Sequence, residues 1–158
     1  VLLPNSPDVL ITAERAAELS EKAVAVVPSR SPQAGLAVAG ALDPTCRAAE
    51  NADAMVQALA RVRTAAVAPA ARDDAQGRFR AGEAVGLVDE QVVAWGSPEH
   101  ALGAVVAALA REAELISCLR GADAPLDDEA VRALVLGGTE LELLDGGQPS
   151  WWWLLSAE

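Results

Sequence analysis

Short apolar runs alternate along this chain with stretches of helical period, and that alternation restricts it to an α/β architecture. Val24-Ala25-Val26-Val27 is apolar throughout, the pattern of a parallel strand covered on both faces. Val1–Leu3 reads as a strand before it and Asn5-Ser6-Pro7-Asp8 as a turn carrying a helix N-cap. Val9–Ser20 reads as a helix with Leu10, Ala13, Ala16 and Ala17 on one face. A helix between two such strands makes a right-handed crossover. The expected fold is α/β, a mainly parallel sheet flanked by helices, with residues 1–158 forming a single domain.

Pro32–Leu42 reads as a second helix, weakened by Gly35 and Gly40 and so dependent on close packing. Pro44–Val62 carries a third, with Ala52, Met55, Val56 and Leu59 as its apolar stripe. The pattern changes over about residues 63–96. Arg63–Ala71, Glu83–Asp89 and Gln91–Trp95 look like short β segments, joined by Asp73-Asp74-Ala75-Gln76-Gly77 and a tight Asp89-Glu90 turn. They make a short antiparallel β insert. From Ser97 an N-capped helix runs to Arg111, with Leu102, Val105, Val106 and Leu109 inward. Strands follow at Leu115–Leu119, Glu140–Leu144 and Trp151–Ser156, with a last helix at Asp127–Val135.

Charge and chemistry exclude several classes. Twelve Lys and Arg against 23 Asp and Glu leave a net charge of -11, a field that repels nucleic acid and anionic lipid and favours a basic or neutral protein partner. No apolar run approaches the roughly 20 residues that span a bilayer, and no charged leader is present. A cytoplasmic protein without a transmembrane segment is expected. Cys46 and Cys118 lack metal-ligand spacing and read as buried free thiols. His100 stands alone in the first turn of a helix, without the partner a general base needs. Asp127-Asp128-Glu129 suits a helix N-terminus rather than a metal. Phosphate-loop, dinucleotide and nucleophile-elbow motifs are all missing. The chain starts at Val1-Leu2-Leu3-Pro4 without Met, as if a strand were already under way, and reads as a fragment of something longer.

What remains is a set of loop residues at the carboxyl ends of expected strands, where open α/β sheets place their ligands. These are Asn5, Ser29, Arg30, Gln33, Arg72, Asp73, Gly147 and Gln148. Trp152 joins them. Of only four tryptophans in the chain, three stand together at Trp151-Trp152-Trp153 behind Gly146-Gly147-Gln148-Pro149. In a strand, Trp151 and Trp153 share one face and complete the core, while Trp152 points the other way toward a partner. As the closing strand, this segment is expected to cover an edge of the sheet.

The order of several strings resembles a known family. Val1-Leu2-Leu3-Pro4-Asn5, Ala16-Ala17-Glu18-Leu19-Ser20, Val26-Val27-Pro28-Ser29 and Gln33-Ala34-Gly35 resemble the start of the C-terminal domain of the A subunit of bacterial fatty acid kinase, in the dihydroxyacetone-kinase-like group. The likeness continues through Val62-Arg63-Thr64, Arg72-Asp73, Gly82, Gly86-Leu87-Val88-Asp89, Gly146-Gly147-Gln148-Pro149 and Ser156-Ala157-Glu158. Where the family often has Tyr-Pro-Tyr-like residues after Gly-Gly-Gln-Pro, this chain has Ser150-Trp151-Trp152-Trp153.

The resemblance implies a DegV-like fold and a non-catalytic domain that docks a DegV-like fatty-acid-binding subunit. It implies a complex that makes acyl phosphate for phospholipid synthesis, with ATP and Mg²⁺ held by an N-terminal domain and no cofactor in this fragment. Two other roles stay open: a small-molecule or lipid-binding domain with its own pocket, and self-association through an exposed tryptophan face.

Overall fold

A break in packing after Val62 separates two units in the computed structural model, Val1–Val62 and Arg63–Glu158, and the structure describes residues 1–135 and 138–158. In the first unit the expected strands Val1–Leu3 and Ala23–Val27 do meet in parallel, but only through one bridge between Leu2 and Val26. Leu2 N–H donates to Ala25 O at 2.8 Å and Val27 N–H donates to Leu2 O at 2.9 Å. Prolines explain the shortness. Pro4 removes the next donor toward Val27 O, Ser29 N–H takes that carbonyl instead at 2.7 Å, and Asn5, at φ 59°, turns the chain away. Val27 is fully buried, whereas Val24, Ala25 and Val26 are half-buried and Ala23 is exposed, so this segment is not the doubly covered strand expected.

Ser6 caps a 3-10 turn over Pro7–Val9, accepting from Asp8 N–H, and α1 (Leu10–Glu18) follows. α1 buries no residue fully, and Ala16 of its expected inner face is exposed. Ser31 caps α2 (Pro32–Ala39), accepting from Ala34 N–H, and α3 spans Ala48–Leu59. Val27, Val38, Ala52 and Met55 form the core of this unit, with Leu3, Leu59 and Val62 against it. Val56, expected in the α3 stripe, is 42% exposed. Asn51 of α3 accepts from Asp43 N–H at 2.6 Å and donates to Asp43 O at 2.8 Å, fixing the turn that precedes the helix. Cys46 lies on that turn and is exposed, contrary to expectation, while Cys118 is buried. Burial pushes the Cys118 thiol pKa up to about 12.

The second unit is a six-stranded sheet of β1 (Arg63–Pro69), β2 (Ala84–Val88), β3 (Gln91–Gly96), β4 (Leu115–Arg120), β5 (Glu140–Asp145) and β6 (Trp153–Ala157). Its order is β3-β2-β1-β6-β4-β5. The sheet is mixed, not mainly parallel. β4 and β5 pair in parallel around α5 (Asp128–Ala133), while every other neighbouring pair is antiparallel. β1, β2 and β3 form the antiparallel meander read from the sequence, turned at Asp89 and Glu90 with φ 47° and 67°, both left-handed as a tight hairpin requires. The meander is not an appendage, because β6 pairs with β1 on one side and β4 on the other. The last strand of the chain therefore lies inside the sheet rather than along its edge.

α4 (Pro98–Leu109), capped by Ser97, packs on β1, β2 and β3. Leu102, Val105, Val106 and Leu109 face inward as expected, each no more than 1% exposed. Gly86 allows that approach, since a Cβ there would lie 2.7 Å from Val105 Cγ2. With Ala65, Val67, Ile116, Cys118, Val131, Trp153 and Leu155 these side chains form the core.

The tryptophan run does not alternate as expected. The strand starts only at Trp153, which is fully buried; Trp152 is half-buried against the core, and Trp151 is 41% exposed. Ser150 at φ 68° and the Trp151 N–H bond to Pro149 O at 2.8 Å explain this, because a tight turn breaks the two-residue period before the strand begins. Trp153→Ala should destabilise the chain by about 3–5 kcal/mol in urea unfolding, and Trp151→Ala by less than about 0.5 kcal/mol. Trp153→Phe should cost much less than the alanine change, because the Trp153 indole Nε1 has no hydrogen-bond partner to lose among the described residues.

Candidate functional site

The residues singled out from the sequence fall into two groups, one in each unit. In the first, Asn5 and Ser29 are joined reciprocally: Asn5 N–H donates to Ser29 Oγ at 3.1 Å, and Ser29 Oγ–H donates to Asn5 Oδ1 at 2.7 Å. Ser29 is only 2% exposed, so this pair satisfies a hydroxyl that burial would otherwise make costly. The Asn5 amide rests on Gly35 of α2, where a Cβ would stand 1.9 Å from Oδ1. That contact is the close packing the glycine-weakened helix needs. Gln33, in the first turn of α2, is buried, and Arg30 is exposed just before the helix. The hydroxyl and amide at this point fasten the loop after Leu3 to the start of α2.

In the second unit, Arg72, Asp73, Gly147, Gln148 and Trp152 gather at one end of the sheet. Val67 of β1 and Arg120 of β4 both stand opposite Trp153, and Asp145 of β5 stands opposite Arg120. The connections leaving β1, β4 and β5 and the one entering β6 thus share that end. Gln148 clamps it: Nε2 donates to Leu119 O at 2.9 Å, and its backbone carbonyl accepts from Ala122 N–H at 3.1 Å. Gly121 N–H donates to Trp152 O at 2.8 Å, and Trp152 N–H to Val67 O at 2.9 Å. Gly121 is packed so tightly that a Cβ would lie 2.0 Å from Trp151 O. Gly147, at φ 60°, faces open space. Arg72 and Asp73 are exposed, and Asp73 Oδ1 accepts from Ala81 N–H at 2.8 Å.

The loop between β1 and β2 also carries a cluster that the sequence reading missed. Asp74 holds Arg78 through two bonds of 2.9 Å and accepts from the Gln76 and Arg78 backbone N–H groups. The Arg78 guanidinium carbon stands 5.7 Å from the Phe79 ring centre and 5.6 Å from that of Trp95, within cation–π range. Trp95 is 38% exposed. Trp95 and Trp151 are thus two exposed indoles at this end of the sheet, and Arg78 stands against Trp95. The signal available in sequence was Trp95 at a strand end; the Asp74-to-Arg78 spacing of four residues was the other half.

Among the described residues, no three His, Cys, Asp or Glu side chains are placed to hold a metal ion, and no helix is long and apolar enough to cross a membrane. His100 is exposed, its backbone N–H donating to the capping Ser97 Oγ. Asp127 caps α5, accepting from Ala130 N–H at 2.9 Å. A cavity of about 500 Å³ follows β5, lined by Arg132, Glu140 and Glu142 together with leucines of β4 and β5.

Two outcomes follow from these geometries. Gly35→Ala must displace the Asn5 amide and should destabilise the first unit by about 1–3 kcal/mol, read as faster amide exchange at Asn5 and Ser29. Hydrogen bonds from Arg78 lower the Asp74 pKa from 3.8 to about 2. A carboxylate depressed in the folded state supports it above its ordinary value and withdraws that support as pH falls through the folded value. The Trp95 indole NMR signal should therefore hold its position above pH 3.8 and shift as pH falls toward about 2, a dependence that Asp74→Asn removes.

The chain is 29% identical, over its full length, to an uncharacterised protein of Staphylococcus saprophyticus, and 26% identical over 99% of its length to Protein YloV of Bacillus subtilis. It spans about 30% of the length of each relative. A crystal structure of a DegV family protein from Corynebacterium glutamicum matches 98% of this chain and 73% of that one, with a TM-score of 0.62 and 15% identity. The fold is DegV-like. The family model for the C-terminal domain of FakA-like proteins, those similar to the A subunit of fatty acid kinase, matches residues 1–158, and the chain belongs to that family.

Proposed function

We propose that this chain is a non-catalytic docking domain that seats a DegV-like fatty-acid-binding protein beside a kinase domain, so that the acyl carboxylate can be phosphorylated. The observation that carries this reading is the family match across the whole of residues 1–158. In this reading, ATP and Mg²⁺ are handled by sequence outside residues 1–158, and the work takes place in the cytoplasm. Holding the acyl carrier beside the kinase domain is a sufficient physical role, because proximity removes a large entropic barrier. The loop-bearing end of the sheet suits docking. Trp95, Trp151 and Arg78 are residue types that dominate binding energy at interfaces, and the Asp74–Arg78 pair and the Gln148 clamp hold that end rigid before any partner arrives. Arg72, Asp73 and Gly147 lie on connections at the same end of the sheet.

The test is titration of a DegV-like fatty-acid-binding protein from the same organism into the chain by calorimetry. A one-to-one complex is expected, weakened about tenfold or more by Trp151→Ala. No association at all, or assembly of the chain only with itself, would overturn the reading.

A further inference from the structure

The two edges of the sheet differ. β3 is interrupted by a register shift opposite Gly86 and Leu87, and such bulges blunt an edge against further pairing. β5 pairs with β4 in unbroken register from Glu140 to Asp145, and its other side is an edge. The direction of its backbone groups follows from two bonds: Glu140 N–H donates to Glu114 O and Gly146 N–H to Arg120 O, both on the β4 side. In a parallel ladder the N–H and C=O of one residue point the same way and alternate along the strand. Those of Leu141 and Leu143 therefore point outward. Arg132 Nη1 reaches Leu141 O at 3.5 Å, at the weak limit for a hydrogen bond, and the cavity of about 500 Å³ runs along this same edge.

The side chains state what the edge accepts. Leu141 and Leu143 are half-buried against the core, while Glu140 and Glu142 stand exposed on the opposite face and Asp145 is exposed at the strand's end. A second copy of this chain would set the same carboxylates across the pairing, with -11 on each partner, and like charges opposite one another are destabilising. An extended basic segment meets the reverse situation. We propose that the outer edge of β5 is a docking site for an extended segment of a protein partner in which basic and apolar residues alternate. The segment adds a seventh strand through Leu141 and Leu143 and sets its basic side chains beside Glu140 and Glu142. Backbone pairing supplies affinity in this mode and alternate side chains supply selectivity. The site lies along a different border of the sheet from the loop-bearing end, and it stands or falls independently of the docking reading above.

The probe is the peptide acetyl-Lys-Val-Lys-Val-Lys-Val-Lys-amide, added to the 158-residue chain and followed by amide exchange. Slowed exchange at Leu141 and Leu143, with Glu142 unchanged, is expected. The same peptide N-methylated at all its backbone amides, which cannot donate to the edge in either strand direction, should lose this pattern on the unaltered protein. Glu140→Lys with Glu142→Lys should weaken binding by about tenfold or more. Absence of binding, equal protection by the N-methylated peptide, or full-strength binding to the doubly substituted chain would each overturn the proposal.

Discussion

Insertion of β6 between β1 and β4, anchored by the fully buried Trp153, is the constraint on which the second unit depends. All five residues of β6 are buried, so both faces of this strand are spoken for. Its partners, Val67 and Arg120, belong to segments far apart in the chain. The sheet is complete only when the last strand has been placed, and such distant pairing has to overcome loop-closure entropy before it is rewarded. Trp153 offsets that cost by apolar burial at the point where three strands meet.

The same placement determines what the protein can present. Because Trp153 is the first residue of the strand, the turn before it must lie at the sheet's end, and the Gln148 bond to Leu119 O and the Gly121 bond to Trp152 O lock that turn onto β4. Trp151 is left outside as a consequence. On the neighbouring strands, Asp74 positions Arg78 between Phe79 and Trp95. Most of the chain's aromatic side chains are thus found at one end of one sheet, two of them exposed and held by short, rigid connections.

Much of this was legible in the sequence. Helical periods located α1 to α5 within a few residues, and the Asp89-Glu90 turn with its flanking apolar runs gave the β1 to β3 meander. The direction and order of the strands were not legible, because Val24–Val27 reads as doubly covered while Pro4 on the partner segment cuts its pairing to a bridge, and nothing local marks β6 as central. The tryptophan run misled for a related reason. Alternation holds only inside a strand, and Ser150, in a left-handed conformation that its residue type does not announce, delays the strand to Trp153. At the site, Gly35 and Gly121 acquire meaning only from Asn5 Oδ1 and Trp151 O, which the fold brings within about 2 Å of where a Cβ would stand.

The most direct measurement is hydrogen–deuterium exchange of the chain with and without a DegV-like fatty-acid-binding protein from the same organism. The account predicts that slowed exchange appears in the connections around Arg72–Gly82 and Gly146–Trp152, at the end of the sheet that carries Trp95 and Trp151. Protection confined to α1, α2 and α3, or none under saturating partner, would contradict it.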